Sequence, residues 1–306
     1  MDALVVENLV KRYGPVRAVD GLSFRAPAGS IFGILGPNGA GKSTTMRMIV
    51  NIVSPDSGSI ALLGQKPGPA VARRIGYLPE ERGLYRRMTP HAIIRYFARL
   101  KGLSNADAGK RATALLEQYG LGEWSHRRVR ALSKGMAQKV QILASIVHEP
   151  ELVLFDEPFS GLDPVNQQAV EAIVRGIAAS GRTVLFSTHV MEHAERMCDR
   201  IVLIAHGKSA FEGSVSQALA ATHRVAALET EGTFDLAAAL ASSGIAIEEE
   251  KSEGPGRRWR APLASSDASR KLLSACVAAG APLTLFEPQR ATLHDAFVRL
   301  VGEAPE

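Results

Sequence analysis

The sequence predicts a mainly parallel α/β domain over residues 1–221, followed by a small α+β domain over residues 222–306. Three observations carry this. A short apolar run, Ile31-Phe32-Gly33-Ile34-Leu35, leads into a glycine-rich turn and then a helical pattern from about Lys42 to Val53. Apolar strand-like runs then alternate with helical segments to about residue 210, which argues for a parallel sheet with crossover helices. From Thr222 the pattern restarts with shorter segments. A chain of 306 residues suits two domains at about 150 residues each.

Taken in order, Leu4-Val5-Val6 reads as a first strand, ahead of the run at Ile31–Leu35. Residues 89–145 change character and form a mostly helical insert. Thr89-Pro90 marks a helix start, and His91–Leu103 and Asp107–Tyr119 carry apolar residues at helical spacing. Leu152-Val153-Leu154-Phe155 is a buried strand, Gln167–Ala179 a helix and Thr183-Val184-Leu185-Phe186 another strand. Ile201–Ile204 and Gly207–Ala210 read as a terminal hairpin. In the second domain Arg224–Thr230, Ile245–Glu250, Arg257–Arg260 and Leu283–Glu287 are strand candidates. Helices are expected at 235–243, 265–279 and 291–301, with Gly254-Pro255-Gly256 as a turn.

Composition narrows the function classes. The chain is 46% hydrophobic and 22% charged, ordinary for a globular protein and wrong for disorder, collagen-like repeats or coiled coil. The net charge of +5 suits anionic ligands but is too small to argue for nucleic acid. It is unevenly spread: residues 222–306 carry −3 and residues 1–221 carry +8. Two cysteines, Cys198 and Cys276, fall in different halves, which argues against a disulfide framework and for a reducing compartment. The first residues hold acids where a secretion signal needs a basic region. The longest uncharged stretch near the end, Leu272–Phe286, spans 15 residues and is broken by Gly280 and Pro282. A membrane span needs about 18 or more apolar residues, so the chain is expected to act on a membrane only through a partner.

Two motifs carry chemistry on their own. Gly36-Pro37-Asn38-Gly39-Ala40-Gly41-Lys42-Ser43-Thr44 fits the phosphate-loop pattern, with Gly36, Gly41, Lys42 and Ser43 at the required positions. Glycines let backbone N–H groups wrap phosphate oxygens, Lys42 can reach the β/γ phosphates, and the Ser43 hydroxyl can ligate Mg²⁺. The helix that follows points its positive end at the same anion. The second motif is Leu152-Val153-Leu154-Phe155-Asp156-Glu157, a strand ending in two acids. It places them at the carboxyl edge of a parallel sheet, where ligands of open α/β folds bind. Asp156 can hold Mg²⁺ or its water, and Glu157 can orient and polarise an attacking water.

These residues, and their order, resemble the ATP-binding subunit of an ABC transporter over about residues 1–220. Leu132-Ser133-Lys134-Gly135-Met136 is similar to that family's signature sequence, with Lys134 and Met136 departing from its usual residues. Ser133 and Gly135 expose a hydroxyl and backbone N–H groups at a helix start, a second anion site that one nucleotide does not need from one chain. The resemblance accounts for the surplus: two subunits pack head to tail, and each signature caps the ATP held by its partner's loop. It also implies roles for Tyr13 (stacking on adenine), Asn38, Gly39 and Thr44 (nucleotide contacts) and Asp163 in Ser160-Gly161-Leu162-Asp163 (linking the two sites). His189 would contact the γ-phosphate. The lid glutamine that senses Mg²⁺ should fall at Tyr77-Leu78-Pro79-Glu80, where this chain has Glu80; a carboxylate can still ligate the metal.

The resemblance thus implies a P-loop NTPase fold of the ABC type, with ATP and Mg²⁺ bound. It implies Glu157, His189 and Lys42 as catalytic residues, and Ser43, Asp156 and Glu80 as metal ligands. Residues 76–85, the Lys-Gly-Met signature, the added carboxyl-terminal domain and Thr292–Phe297 are similar to a narrower group, the ATPases of bacterial ABC-2-type exporters, including sodium exporters. The expected partners are an integral membrane permease and a second ATPase subunit, giving a homodimer, with no nucleic acid. The expected place is cytoplasmic, on the inner face of the cell membrane. The rival is a soluble ABC-type ATPase of DNA repair or translation. Chromosome-maintenance members of that class carry a long heptad coiled coil between loop and signature, whereas Lys42 to Ser133 spans 91 residues without sustained heptads. Translation members hold two cassettes. A metabolic kinase leaves residues 132–139 and 160–163 without a purpose.

Overall fold

The computed structural model describes residues 1–81, 83–222, 224–250, 256–263 and 266–302. They form two compact units, Met1–Val215 and Ser216–Gly302.

The first unit is built on two sheets. The strands β1 (Asp2–Tyr13), β2 (Val16–Pro27) and β4 (Ser57–Leu62) form an antiparallel sheet in the order β2-β1-β4. The larger sheet runs β5-β6-β7-β3-β8-β9, from β3 (Ile31–Leu35), β5 (Ile75–Leu78), β6 (Leu152–Asp156), β7 (Thr183–Thr188), β8 (Arg200–Ala205) and β9 (Lys208–Ser214). Five of its strands are parallel and β9 closes the edge antiparallel, the expected hairpin. Every residue of β3, β6 and β7 is buried, which is why these strands are built on apolar runs rather than on an alternating pattern. One core fills the space between the sheets, with Phe24 stacked on Phe32 at 5.6 Å.

The α-helices of the first unit are α1 (Lys42–Ile49), α2 (Pro69–Ala72), α3 (Pro90–Leu100), α4 (Asn105–Gln118), α5 (Lys134–Ile146), α6 (Pro164–Ala179) and α7 (Met191–Met197), and α8 (Val215–Ala220) lies almost wholly in the second. Helix α1 stops four residues before the expected Val53, because Asn51 takes a left-handed φ of 61° and ends the run. Helix α6 starts three residues before the expected Gln167: Asp163 caps Asn166 N–H and Pro164 sits in the first turn, favoured there for want of an N–H. The insert is α3, α4 and α5, capped by Thr89, Ser104 and Ser133. No helix among the described residues is long and apolar enough to cross a membrane.

The second unit has an antiparallel sheet in the order β11-β12-β10-β13, from β10 (Arg224–Thr230), β11 (Glu248–Glu250), β12 (Arg257–Leu263) and β13 (Leu283–Gln289). Helices α9 (Leu236–Leu240), α10 (Ser266–Ala278) and α11 (Leu293–Gly302) accompany it. Trp259 is fully buried with Leu228, Leu236 and Leu272, and its indole N–H donates to Thr230 Oγ1 at 3.0 Å, which removes the cost of burying it. The expected helix 235–243 divides into α9 and a 3₁₀ turn at Ala241–Ser243. Gly254 and Pro255, expected in a turn, lie outside the described residues. Cys198 and Cys276 are both buried and free.

Candidate nucleotide site

The site grows from the carboxyl ends of the parallel strands. β3 ends at Leu35 and the chain turns through Gly36 and Gly41, whose φ values are 156° and 102°. Neither tolerates a side chain: a Cβ on Gly36 would lie 2.2 Å from Ile204 O, and one on Gly41 2.3 Å from Ala18 O. Only glycine combines these backbone angles with so close an approach. Asn38 and Gly39 are exposed at the loop's tip, and Thr44 is half-buried in the first turn of α1.

Lys42 closes the loop from within. It is 5% exposed, and its Nζ donates to Gly36 O at 2.8 Å and Pro37 O at 3.1 Å. It also faces Glu157 Oε1 at 3.5 Å. A buried ammonium needs such partners, and the arrangement aims its charge into the loop's hollow.

The acids sit opposite. Asp156 is 1% exposed; its Oδ1 accepts from Ser187 Oγ at 2.6 Å and from Ser43 Oγ at 3.2 Å. Its Oδ2 is buried with no hydrogen-bond partner among the described residues. Burial raises the Asp156 carboxyl above its usual value; the Ser187 and Ser43 bonds oppose this, and the charges of Glu80 and Glu157 add to it. Ser43 Oγ is also 3.4 Å from Glu80 Oε2, so one hydroxyl proton lies between two carboxylates. A hydroxyl, an orphaned carboxylate oxygen and a second carboxylate are hard oxygen donors of the kind Mg²⁺ takes, and they fit that ion.

Glu157 takes a left-handed φ of 47°, uncommon for a non-glycine residue. Its N–H donates to Ser187 Oγ at 3.0 Å, which holds the strained turn. His189 Nδ1 lies 3.1 Å from both Glu157 carboxylate oxygens. Ser187 thus ties the two acids together, one through its proton and one through its lone pair. In the sequence it is only a neighbour of His189, since nothing local marks a serine of one strand as facing the end of another.

The remaining candidates stand apart. Tyr13 ends β1 and is 49% exposed, paired across the hairpin with Val16. That hairpin runs on to Ala18, whose carbonyl lies against Gly41. Ser133 caps α5, and Gly135 lies beneath Asn166. Asp163 accepts from Asn166 N at 3.0 Å and from its Nδ2 at 2.6 Å, which lowers the Asp163 carboxyl. Lys134 lies across Gly161. Among the described residues no hydrogen bond or ion pair joins Ser133, Gly135 or Asp163 to the cluster of Lys42, Ser43, Asp156, Glu157 and His189. One chain therefore carries two separate groups of candidate residues.

The family whose description reads ABC transporter matches residues 19–160. The chain is 35% identical over 303 residues to the ABC transporter ATP-binding protein YhaQ of Bacillus subtilis, covering 99% of this chain and 100% of that one. It is 36% identical over 308 residues to the Nod factor export ATP-binding protein I of Ralstonia nicotianae, covering 98% and 94%. Among solved structures, an ATP-binding subunit of an ABC transporter aligns with a TM-score of 0.65 at 33% identity, over 72% of this chain and 92% of that one. With the phosphate loop, the strand-end acids and near full-length similarity in agreement, the chain belongs to the ATP-binding proteins of ABC transporters, the subunits that bind and hydrolyse ATP to drive transport.

Proposed function

We propose that this chain is the ATPase of an ABC-2-type exporter, that it dimerises on Mg-ATP, and that it drives a separate membrane-spanning partner from the inner face of the cell membrane. The observation that carries the reading is the division of the candidate residues. The phosphate loop and acids form one cluster, the signature and Asp163 form another, and each needs the other's counterpart on a second copy. The export direction draws on relatives such as the Nod factor export protein.

The chemistry follows from positions. Loop N–H groups and Lys42 hold the phosphates, Tyr13 stacks on the base, and Thr44 lies beside the loop. Mg²⁺, when bound, neutralises phosphate charge; Ser43, Asp156 and Glu80 are the residues that would hold it. A water attacks the γ-phosphorus, the bond to the ADP oxygen breaks, and Glu157 takes the proton that the water gives up. His189 orients that carboxylate. Ser133, Gly135 and Asp163 of one copy cover the γ-phosphate on the other, so ATP favours the closed dimer by its differential affinity for it.

The α3 surface is where the membrane partner fits. Met88, Arg95, Tyr96, Arg99 and Leu100 line a cavity of 480 Å³ there, with Tyr85, Tyr96 and Leu100 exposed. Exposed aromatics with arginines are the composition of an interface core. The test is mild-detergent purification of the tagged chain from its host membranes. A stoichiometric partner with about six hydrophobic spans supports the reading; recovery with ribosomes or nucleic acid and no membrane protein overturns it in favour of a soluble ATPase.

A further inference from the structure

Helix α5 begins at the signature serine, Ser133, and carries two buried glutamines three residues apart, Gln138 and Gln141, 5% and 8% exposed. That spacing puts both amides on one face. Gln138 Nε2 donates to Pro158 O at 3.0 Å, and Gln141 Nε2 donates to Glu81 O at 3.5 Å. Each carbonyl belongs to the residue directly after a site carboxylate: Pro158 follows Glu157, and Glu81 follows Glu80. The second amide is under-satisfied. Its bond is long against the usual ~3 Å, and Gln141 Oε1 is buried with no partner among the described residues. A buried amide in that state costs free energy that an apolar side chain would not.

We propose that Gln138 and Gln141 are positioning residues, through which the signature helix sets the backbone beside Glu157 and beside Glu80. The inference rests on the roles given to those two acids above. Movement of α5 when Ser133 meets the partner's nucleotide then reaches the proton acceptor through Gln138 and the lid carboxylate through Gln141. Glu80 stands 3.4 Å from Ser43, so displacement of the Glu80–Glu81 turn is displacement at the metal corner.

Gln141→Met in the full-length chain tests this, because Met keeps the volume and removes both the bond and the orphaned oxygen. The expected result is an unchanged or raised Tm, an unchanged KM for ATP at saturating Mg²⁺, a kcat lowered about fivefold, and a half-saturating Mg²⁺ concentration raised about fivefold, the scale of one net hydrogen bond. Combined with Glu80→Ala, it should add nothing further to the Mg²⁺ shift. Gln138→Met should lower kcat without changing the Mg²⁺ requirement. Wild-type kcat and Mg²⁺ dependence in Gln141→Met, or a kcat loss that merely follows a fall in Tm, overturns the inference and leaves the ATPase reading standing. Absence of ATP hydrolysis in the wild-type chain overturns both.

Discussion

His189 holds Glu157 symmetrically, with one ring nitrogen 3.1 Å from each carboxylate oxygen. The Oε1 of the same carboxylate also faces Lys42 at 3.5 Å, and the Glu157 backbone is tied through Ser187 to Asp156. The side chain is 7% exposed, so its orientation is set by protein partners rather than by water.

Glu157→Gln keeps the shape and the Lys42 contact but cannot accept the proton. ATP affinity should stay near that of the wild type, while turnover falls by about 10²–10⁴-fold, the scale of one positioned acceptor. Sedimentation with Mg-ATP should show accumulated dimers. Near-normal phosphate release from this variant would remove Glu157 from the role.

Asp156→Asn separates stability from metal binding. Burial raises the folded-state value of Asp156 above its ordinary 3.8, so its contribution is favourable in acid and is lost as pH rises through the folded value. At neutral pH the buried charge is a liability. Asn retains an acceptor for Ser187 and removes that charge. Without divalent ions at pH 7 the variant should melt higher than wild type, with the gain shrinking toward pH 4. The wild type should gain stability from added Mg²⁺ and the variant should not. A lower melting temperature at pH 7, or equal Mg²⁺ stabilisation of both, contradicts this.

His148 is a second titration probe, remote from the phosphate loop in sequence. Burial is the main cause of its fall to about 4, with Lys101, Arg111 and Arg182 adding to it against an opposing bond to Ile75 O. A depressed folded value means stability is present above the unfolded 6.5 and is lost as pH falls toward 4. The urea midpoint of the wild type should decline between pH 6.5 and pH 5. His148→Gln should flatten that interval, the partly exposed ring making the effect modest. An equal decline in both proteins would assign the slope elsewhere.

Gly135→Ala tests the packing of signature against the Asp163 loop. The added Cβ would fall 2.2 Å from Asn166 Cγ and Oδ1, and Asn166 cannot move without releasing Asp163. The variant should fold with a loss of about 1 kcal/mol and fail to form the ATP-dependent dimer. Gly135→Ala with Asn166→Ala should recover stability. If the double variant is no better than the single one, the clash is not the cause.

The parts of the fold legible in the sequence are those whose signals are local. The buried strands at Ile31, Leu152 and Thr183 each centre on a run of apolar residues, and Thr89 and Ser133 are helix caps beside their helices. The antiparallel sheet was hidden except for its first strand. β1 and β2 pair through several register shifts, with Asn8 and Gly21 at left-handed φ. These break the alternation that marks a strand. β5 is four residues long, too short to stand out.

By itself, then, the sequence determined the phosphate loop and the strand-end acids, each within a dozen contiguous residues, and the alternating α/β order, whose strands and helices are each marked by a local pattern. Tertiary structure alone decided that Ser187 joins Asp156 to Glu157. It alone turned two glutamines of α5 toward the carbonyls after Glu157 and Glu80, and it set at 3.4 Å the approach of Glu80 to Ser43, which the family resemblance had grouped as metal ligands. Those contacts span 20 to 60 residues. They exist only because the parallel sheet brings its strand ends to one edge, where side chains from distant segments must satisfy one another's buried polar groups.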